Sequence, residues 1–345
     1  MARIREWMDL SELGDTASLT AAGWLLVGQV TVVNSPFHDV QGNGGTYSLR
    51  VNPGSFITVT RARPPVLASP ISTFRIRAHL LVDGYDNQGY VFTWWKGGNF
   101  LGGIKFESAS HHIQLYSGGT LLAESTNQIF PNQWYTVEVG ITIGNSGTYE
   151  VRVNGSSVGW IPSASGDTQP GSDTNVDTLT CLYYDIFNQP PGINIYFDDL
   201  AVDDGNWCGE GFITALHPNG AGNTTELTPS SGANWQNVDE IPPSDADYNE
   251  TTVPNKKDTY THTALPSNTT SVKAALIAAR VVKVGSTINN GYIVLRSGVT
   301  DFESAAQLLS LSPAIVTKLW ETDPNDGVWT PTSLNASQIG IRFDT

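Results

Sequence analysis

The sequence predicts an all-β protein of two sandwich-like domains, residues 1–205 and 256–345, joined by an ordered acidic connector, residues 206–255. Three observations predict this class. Apolar and polar residues alternate with a period of two through much of the first two hundred residues, and no window there holds a helical period. The 34 glycines and 19 prolines are dispersed, as in a chain with many turns. Charged residues make up 15% of the chain and aromatic residues 10%, a balance that excludes a disordered protein.

The strands of the first domain follow from this alternation. Apolar residues occupy every second position of 74–82, 135–143 and 149–153, and a further strand is predicted at 193–202. Asn154-Gly155 separates the third run from the next, and this dipeptide favours the tight turn of a β-hairpin. Two antiparallel sheets packed face to face would bury so many half-apolar strands.

The connector, residues 206–255, holds seven acidic residues and no lysine or arginine. Large apolar residues such as Trp207 and Trp235 recur through it, so we expect it to lie against a domain rather than to be a free linker.

The second domain has strand candidates at 272–284, 291–297, 314–320 and 338–343. The first begins with a run that has helical propensity, but its β-branched end and the turn-rich segment after it favour a strand. One short helix is predicted at 330–334, with Thr330 as its N-cap and Pro331 at its first position. Because a small β domain leaves sheet edges to be covered, we expect this half to drive homo-oligomer assembly through Trp207, Trp235 and Trp320.

Charge and cysteine content limit the partners. A net charge of −15 opposes binding to nucleic acid or to an anionic membrane surface. The N-terminus has no apolar segment of signal-peptide length, which predicts synthesis in a cytoplasm. The two cysteines, Cys181 and Cys208, have no zinc-site spacing, and a disulfide bridge between them is left open.

Two parts of the chain resemble known families. The segments 89–95, 132–139, 151–155 and 195–202 resemble, in order, strands of the concanavalin A-like (laminin-G-like) jelly-roll family, which implies a jelly-roll sandwich over most of residues 1–205. The segments 207–209, 214–220, 235–240, 295–298 and 320–324 resemble a module of virion proteins of tailed bacteriophages.

The second resemblance implies a non-enzymatic virion structural protein, such as a capsid decoration, tail or appendage component, located in the virion. Its expected partners are other virion proteins and host surface glycans, without nucleic acid or membrane. The alternative is a carbohydrate-active enzyme or a bacterial carbohydrate-binding module.

Four aromatic residues form the candidate site for glycans or a partner: Tyr90, Trp94, Trp95 and Phe100. They either stack on sugar rings or belong to the core. Alternation directs Trp94 and Trp95 to opposite faces, so at most one of the two is core.

Carboxylates suggest little chemistry. Glycoside hydrolysis needs two carboxyl groups, yet the strands at 134–143 and 149–153 carry Glu138 alone and Glu150 alone, so no catalytic residue is predicted. Asp198-Asp199 either holds calcium, as the first resemblance implies, or closes hydrogen bonds at the rim of a sheet. No other cofactor is expected.

Overall fold

The computed structural model describes residues 4–8, 11–38, 45–52, 60–65, 67, 69–84, 89–107, 109–184 and 193–345. The chain forms two compact units, Met1–Ser11 with Gly23–Ile213, and Glu12–Ala22 with Thr214–Thr345. Almost all regular structure is antiparallel β-sheet, so the predicted all-β fold with a jelly-roll first domain is confirmed. Among the described residues, no helix has the length and apolar character needed to cross a membrane.

The first unit is a sandwich of two sheets. One sheet has the strand order β13-β12-β11-β6-β15-β4-β3, with β1 also paired to β15, and the other has the order β10-β9-β8-β7-β14-β5-β2. The strands are β1 (Ile4–Met8), β2 (Leu25–Val27), β3 (Gln29–Val33), β4 (Ser48–Asn52), β5 (Thr60–Arg63), β6 (Thr73–Val82), β7 (Gly89–Lys96), β8 (Asn99–Phe106), β9 (His112–Ser117), β10 (Thr120–Gln128), β11 (Trp134–Thr142), β12 (Gly147–Val153), β13 (Ser156–Gly166), β14 (Thr178–Tyr184) and β15 (Ile195–Asp203).

The core of this unit lies between the two sheets. The apolar positions predicted on β6 are all buried, from Phe74 to Val82. Ring contacts join the layers: Phe74 of β6 lies 5.7 Å from Trp94 of β7, centroid to centroid. The predicted hairpin between β12 and β13 is also confirmed, because Asn154 and Gly155 have φ angles of 50° and 75°, as a tight turn with two left-handed residues requires.

Two β-bulges change which side chains face outward. On β15, Asp198 pairs with His79 of β6, but Arg77 of β6 pairs with Ala201, so β15 carries one extra residue between these two pairs. Asp199 lies in this bulge and has a φ of 55°. On β7, the register with β8 shifts between Tyr90 and Phe92. A bulge adds a residue to one strand and so re-aims the side chains beside it.

The second unit is built on a sheet of order β16-β19-β25-β21-β22, with β23 paired to β21, and two two-stranded sheets, β17-β18 and β20-β24. Its elements are α1 (Thr16–Ala21), β16 (Pro218–Thr225), β17 (Thr228–Pro229), a 3-10 turn (Asn234–Asn237), β18 (Asn249–Glu250), β19 (Lys256–His262), β20 (Ala275–Val281), β21 (Asn290–Ser297), β22 (Thr300–Glu303), β23 (Gln307–Leu308), β24 (Ala314–Trp320), α2 (Pro331–Asn335) and β25 (Gln338–Asp344). A further 3-10 turn spans Ser11–Leu13. The core of the second unit is apolar and includes Ile293, Leu295, Trp320 and Trp329.

Local signals explain the helices of this unit. The predicted helix is α2, whose N-cap Thr330 accepts a hydrogen bond from the amide of Ser333 at 3.0 Å. The helix α1 was not predicted, because six residues are too few for a helical period. Its signal was the N-cap: an oxygen of Asp15 accepts the amide of Ser18 at 2.5 Å.

Candidate functional site

An aromatic cluster lies on the outer face of the seven-stranded sheet. Three of the four predicted aromatic residues meet there, with ring centroids 5.0 Å apart for Tyr90 and Phe100 and 5.1 Å for Trp95 and Phe100. Tyr116 of β9 joins them at 5.8 Å from Tyr90. We call these four half-buried side chains, Tyr90, Trp95, Phe100 and Tyr116, the aromatic face. Trp94 points the other way into the core and is 2% exposed, in agreement with the alternation argument.

Glycine makes room for this cluster. A Cβ atom at Gly103 would lie 2.6 Å from the ring of Tyr90 and 2.6 Å from the carbonyl oxygen of Phe92. At Gly102, on the opposite face, it would lie 2.7 Å from the ring of Trp94. The Gly-Gly pair of β8 therefore lets large rings lie on both faces of the same strand.

A row of hydrogen-bonded polar side chains adjoins the aromatic face. The hydroxyl of Tyr116 donates to Gln114 Oε1 at 2.8 Å, and Gln114 Nε2 donates to Glu124 Oε2 at 2.8 Å. His112 Nδ1 lies 2.8 Å from the other oxygen of Glu124. Hydrogen bonds from His112 and Gln114 lower the pKa of the Glu124 carboxyl. We call the hydroxyl of Tyr116 together with Gln114, Glu124 and His112 the polar row.

Positive charge lies on the same outer face. Lys105 Nζ is 4.6 Å from the ring centre of Tyr116. Arg61 and Arg63 of β5 flank the buried Ala62, so alternation directs both toward the outside of this sheet. Their Nε atoms are buried and have no hydrogen-bond partner among the described residues.

Burial raises the pKa of the Tyr90 phenol to about 12, so this ring of the aromatic face carries no charge at neutral pH.

The outer face of the eight-stranded sheet is closed by residues 206–213, which we call the covering segment. Arg77 of β6, 3% exposed, donates to the carbonyl oxygens of Gly209 at 3.0 Å and Gly211 at 2.7 Å. Glu138 of β11 accepts the amide of Gly209 at 3.0 Å. Buried charges of opposite sign therefore hold the main chain of the segment.

Asp198 and Asp199 lie under this segment, beside two histidines that the sequence did not connect with them. His38 Nδ1 and His79 Nδ1 lie 3.1 Å and 2.9 Å from the same oxygen, Oδ2 of Asp199. The other oxygen of Asp199 accepts the amide of Ile213. Burial lowers the pKa of His79 to about 4, so its imidazole is neutral at pH 7.

Calcium, one of the two alternatives for Asp198-Asp199, does not fit the donors that the structure describes here. Calcium takes about six to eight oxygen ligands. The carboxylate oxygens of Asp198 accept the amides of His38, at 2.7 Å, and Asp199, at 2.8 Å. The carbonyl oxygen of Asp199 accepts two N–H groups of the Arg77 guanidinium, at 2.6 and 3.2 Å. N–H donors and a cation thus surround the oxygens that calcium would need.

The remaining predicted residues are dispersed. Trp207 lies between the guanidinium groups of Arg75 and Arg152, 5.0 and 3.9 Å from their carbon atoms. Trp235 is half-buried in a 3-10 turn, and Trp320 belongs to the core of the second unit. Their assembly role stays a prediction.

Neither Glu138 and Glu150 nor the two cysteines form a reactive pair. Glu150 accepts a hydrogen bond from Arg152 Nε at 2.7 Å, and Glu138 holds the covering segment. Cys181 and Cys208, both among the described residues, are not joined by a disulfide.

No protein-family model matches the chain, and no curated protein sequence matches it. Solved structures show similarity. The cellulose-induced protein Cip1 is 13% identical over 53% of this chain and 88% of its own, with a TM-score of 0.38. An endo-β-1,4-glucuronan lyase from the fungus Trichoderma reesei is 14% identical over 52% of this chain and 90% of its own, with a TM-score of 0.37. The alginate lyase Aly36B is 16% identical over 46% of this chain and 82% of its own, with a TM-score of 0.33.

These comparisons correct two predictions. Two of the three structures are named as lyases, so the predicted non-enzymatic virion protein is wrong. The alternative, a carbohydrate-active enzyme or a bacterial carbohydrate-binding module, is better supported. The resemblance of the C-terminal part to bacteriophage virion proteins finds no support. At these identities and TM-scores the similarity assigns no activity to this chain. The two packed antiparallel sheets of the first unit are the arrangement that a concanavalin A-like jelly roll requires.

Proposed function

We propose that the first unit is a carbohydrate-active module that binds a polysaccharide on the aromatic face. The observation that supports this most directly is the adjacency of Tyr90, Trp95, Phe100 and Tyr116 on one half-buried outer surface. Flat aromatic rings match the apolar faces of pyranose sugars, and the polar row beside them offers amide, hydroxyl and carboxylate groups to sugar hydroxyls.

The polysaccharide is proposed to be acidic. Lys105, Arg61 and Arg63 share the outer side of this sheet, whereas the chain as a whole carries a net charge of −15. Cations spread over β8 and β5 of this face, on an otherwise acidic protein, attract a polyanion such as a chain of uronic acids. The two guanidinium groups also have the planar geometry that pairs with carboxylates.

We propose further that this face cleaves the bound chain by β-elimination. That reaction removes the proton next to the sugar carboxylate, transfers a proton to the leaving oxygen, and forms a carbon–carbon double bond in the new end. The phenol of Tyr116 is the proton-transfer group proposed here, because Gln114 orients its hydroxyl and the ammonium of Lys105 lies over its ring.

Isothermal titration with polyglucuronate, alginate and a neutral β-glucan tests the binding. We expect the acidic polymers to bind and Trp95→Ala to weaken their binding roughly tenfold, which corresponds to about 1.4 kcal/mol for one lost stacking partner. Tyr248→Ala, which removes an exposed aromatic residue of the second unit, serves as the control. Equal loss in both variants, or no binding to any polymer, would contradict the proposal.

Ultraviolet absorbance of the unsaturated product tests the cleavage separately. Tyr116→Phe should abolish product formation while the acidic polymer still binds, because only the hydroxyl is removed. Binding by the wild-type chain without any unsaturated product would retain the binding proposal and reject the elimination.

A further inference from the structure

Arg61 and Arg63 of strand β5 differ from the other arginines of the chain. Among the described residues neither forms an ion pair, and the buried Nε atom of each has no hydrogen-bond acceptor. Every other arginine whose side chain is described donates at least one hydrogen bond within the protein, namely Arg50, Arg75, Arg77, Arg152, Arg280, Arg296 and Arg342. Because a buried N–H donor without an acceptor is costly, this pair of arginines indicates an acceptor that a ligand supplies.

The register of the seven-stranded sheet connects Arg63 with the aromatic face. Because Ala62 of β5 pairs with Cys181 of β14, Arg63 lies beside Thr180 in this antiparallel pair. Paired positions then continue across β7, β8 and β9. We call this line the cross-strand row, and its members are Arg63, Thr180, Thr93, Gly103 and Tyr116. From β5 to β9 the row crosses four strand spacings of about 4.8 Å, roughly 19 Å in all.

Aromatic rings lie on the middle of the cross-strand row. The indole Nε1 of Trp95 donates to Thr93 Oγ1 at 2.7 Å. The ring of Tyr90 lies over Gly103, where a Cβ atom would approach it to 2.6 Å. An apolar platform therefore separates the cation at one end of the row from the hydroxyl of Tyr116 at the other end. A polysaccharide that lies on these rings along the row extends to the guanidinium of Arg63.

We propose that Arg63 is a specificity-determining residue that binds the carboxylate of a different sugar unit from the one at Tyr116, so that the polysaccharide crosses the strands. The separation supports this, because one sugar ring cannot span four strand spacings. A guanidinium presents two parallel N–H groups to a carboxylate, and Arg61, on the same side of β5, adds charge at this end. The inference rests on the proposed function and adds to it a direction for the bound chain.

Calorimetry with oligouronates of defined length, from dimers to hexamers, tests the inference on the full chain. The affinity of the wild type should rise with length until the oligomer spans the cross-strand row. Arg63→Met, which keeps a long side chain and removes its charge, should weaken hexamer binding roughly tenfold and bring it close to that of the shorter oligomers. Arg280→Met, at an arginine of the second unit, is the matched control and should change neither affinity. A hexamer whose carboxyl groups are reduced to alcohols should bind the wild type and Arg63→Met alike.

The outcomes separate this inference from the proposed function. Acidic hexamers that lose affinity with Trp95→Ala but not with Arg63→Met would overturn the inference and retain the proposed function. An equal loss for the reduced hexamer in Arg63→Met would also overturn it, because the guanidinium would then not recognise the carboxylate. Failure of every acidic oligomer to bind the wild type rejects both. Should Arg63→Met not fold, the wild type decides: the affinity ratio of acidic to reduced oligomers must grow with length, and a constant ratio rejects the inference.

Discussion

At the scale of single residues, buried charge holds the first unit together where apolar packing cannot. Arg77 donates four hydrogen bonds to three carbonyl oxygens, those of Asp199, Gly209 and Gly211. Arg77→Met leaves these oxygens unpaired and Glu138 without its neighbouring cation, so we expect a loss of about 3–5 kcal/mol in the free energy of unfolding. Urea denaturation measures it. Arg50→Met, which removes a half-buried hydrogen bond to Thr31, is the control and should cost about 1 kcal/mol.

The pH dependence of stability has a residue-scale source in the second unit. Burial raises the pKa of Asp301, but hydrogen bonds from Lys257 at 2.5 Å and Arg296 at 2.6 Å outweigh burial and hold it below its usual value of 3.8. A lowered folded-state pKa stabilises the fold above the unfolded-state pKa, and this stabilisation is lost as the pH falls through the folded-state value.

The stability difference between wild type and Asp301→Asn should therefore be full at pH 6 and shrink below about pH 4 in urea titrations at several pH values. Asp326→Asn, in an exposed turn, is the control. A difference that stays constant down to pH 2 would contradict this assignment.

At the scale of elements, the bulge and the glycine pair shape the aromatic face. Gly103→Ala would place a methyl group 2.6 Å from both a carbonyl oxygen and the ring of Tyr90. We expect a loss of about 1–3 kcal/mol in stability and weaker binding of an acidic polysaccharide. Gly119→Ala is the matched control, because no atom lies within 4 Å of its added methyl group. Parallel melting and binding measurements on the two variants decide whether space at Gly103 matters.

Strands were predictable from the sequence where the period of two is unbroken. The buried run on β6 and the hairpin at Asn154 follow from such local patterns. Three residues of the aromatic face were predicted, but Tyr116 and the grouping of His38 and His79 with Asp199 were not, for two physical reasons. Bulges at Tyr90 and Asp199 break the period and redirect side chains. His38 meets Asp199 across 161 positions of sequence, a contact that only the pairing of distant strands creates.

At the scale of the whole molecule, each unit has its own buried core and its own buried charge. Asp258 in the second unit is fully buried and accepts hydrogen bonds from the amides of Glu226 and Leu227, from Asn234 and from the hydroxyl of Tyr260. Asp258→Ala removes an acceptor from all four donors, of which the amide of Glu226 and Asn234 Nδ2 keep the carbonyl oxygens of Lys257 and Leu227, and we expect a loss of about 3 kcal/mol.

Hydrogen exchange with mass spectrometry measures where that loss falls. All four donors belong to the second unit, so faster exchange is expected in β19 and β25, with the strands of the sandwich and its polysaccharide binding unchanged. Faster exchange in both units would show that they unfold together.

The covering segment has a consequence for how the chain diverges over time. Arg77, Glu138 and Asp199 hold it through main-chain amides and carbonyls, so the side chains at 210, 212 and 213 contribute nothing to these particular bonds. Trp207, which packs against Arg75 and Arg152, and two glycines are restricted there: Gly209 has a φ of 75°, and a Cβ atom at Gly211 would lie 3.2 Å from the Arg77 guanidinium. In descendants of this sequence we expect the other side chains of the segment to change freely around Trp207 and the two glycines, while the three charged residues that bind its main chain are inherited together.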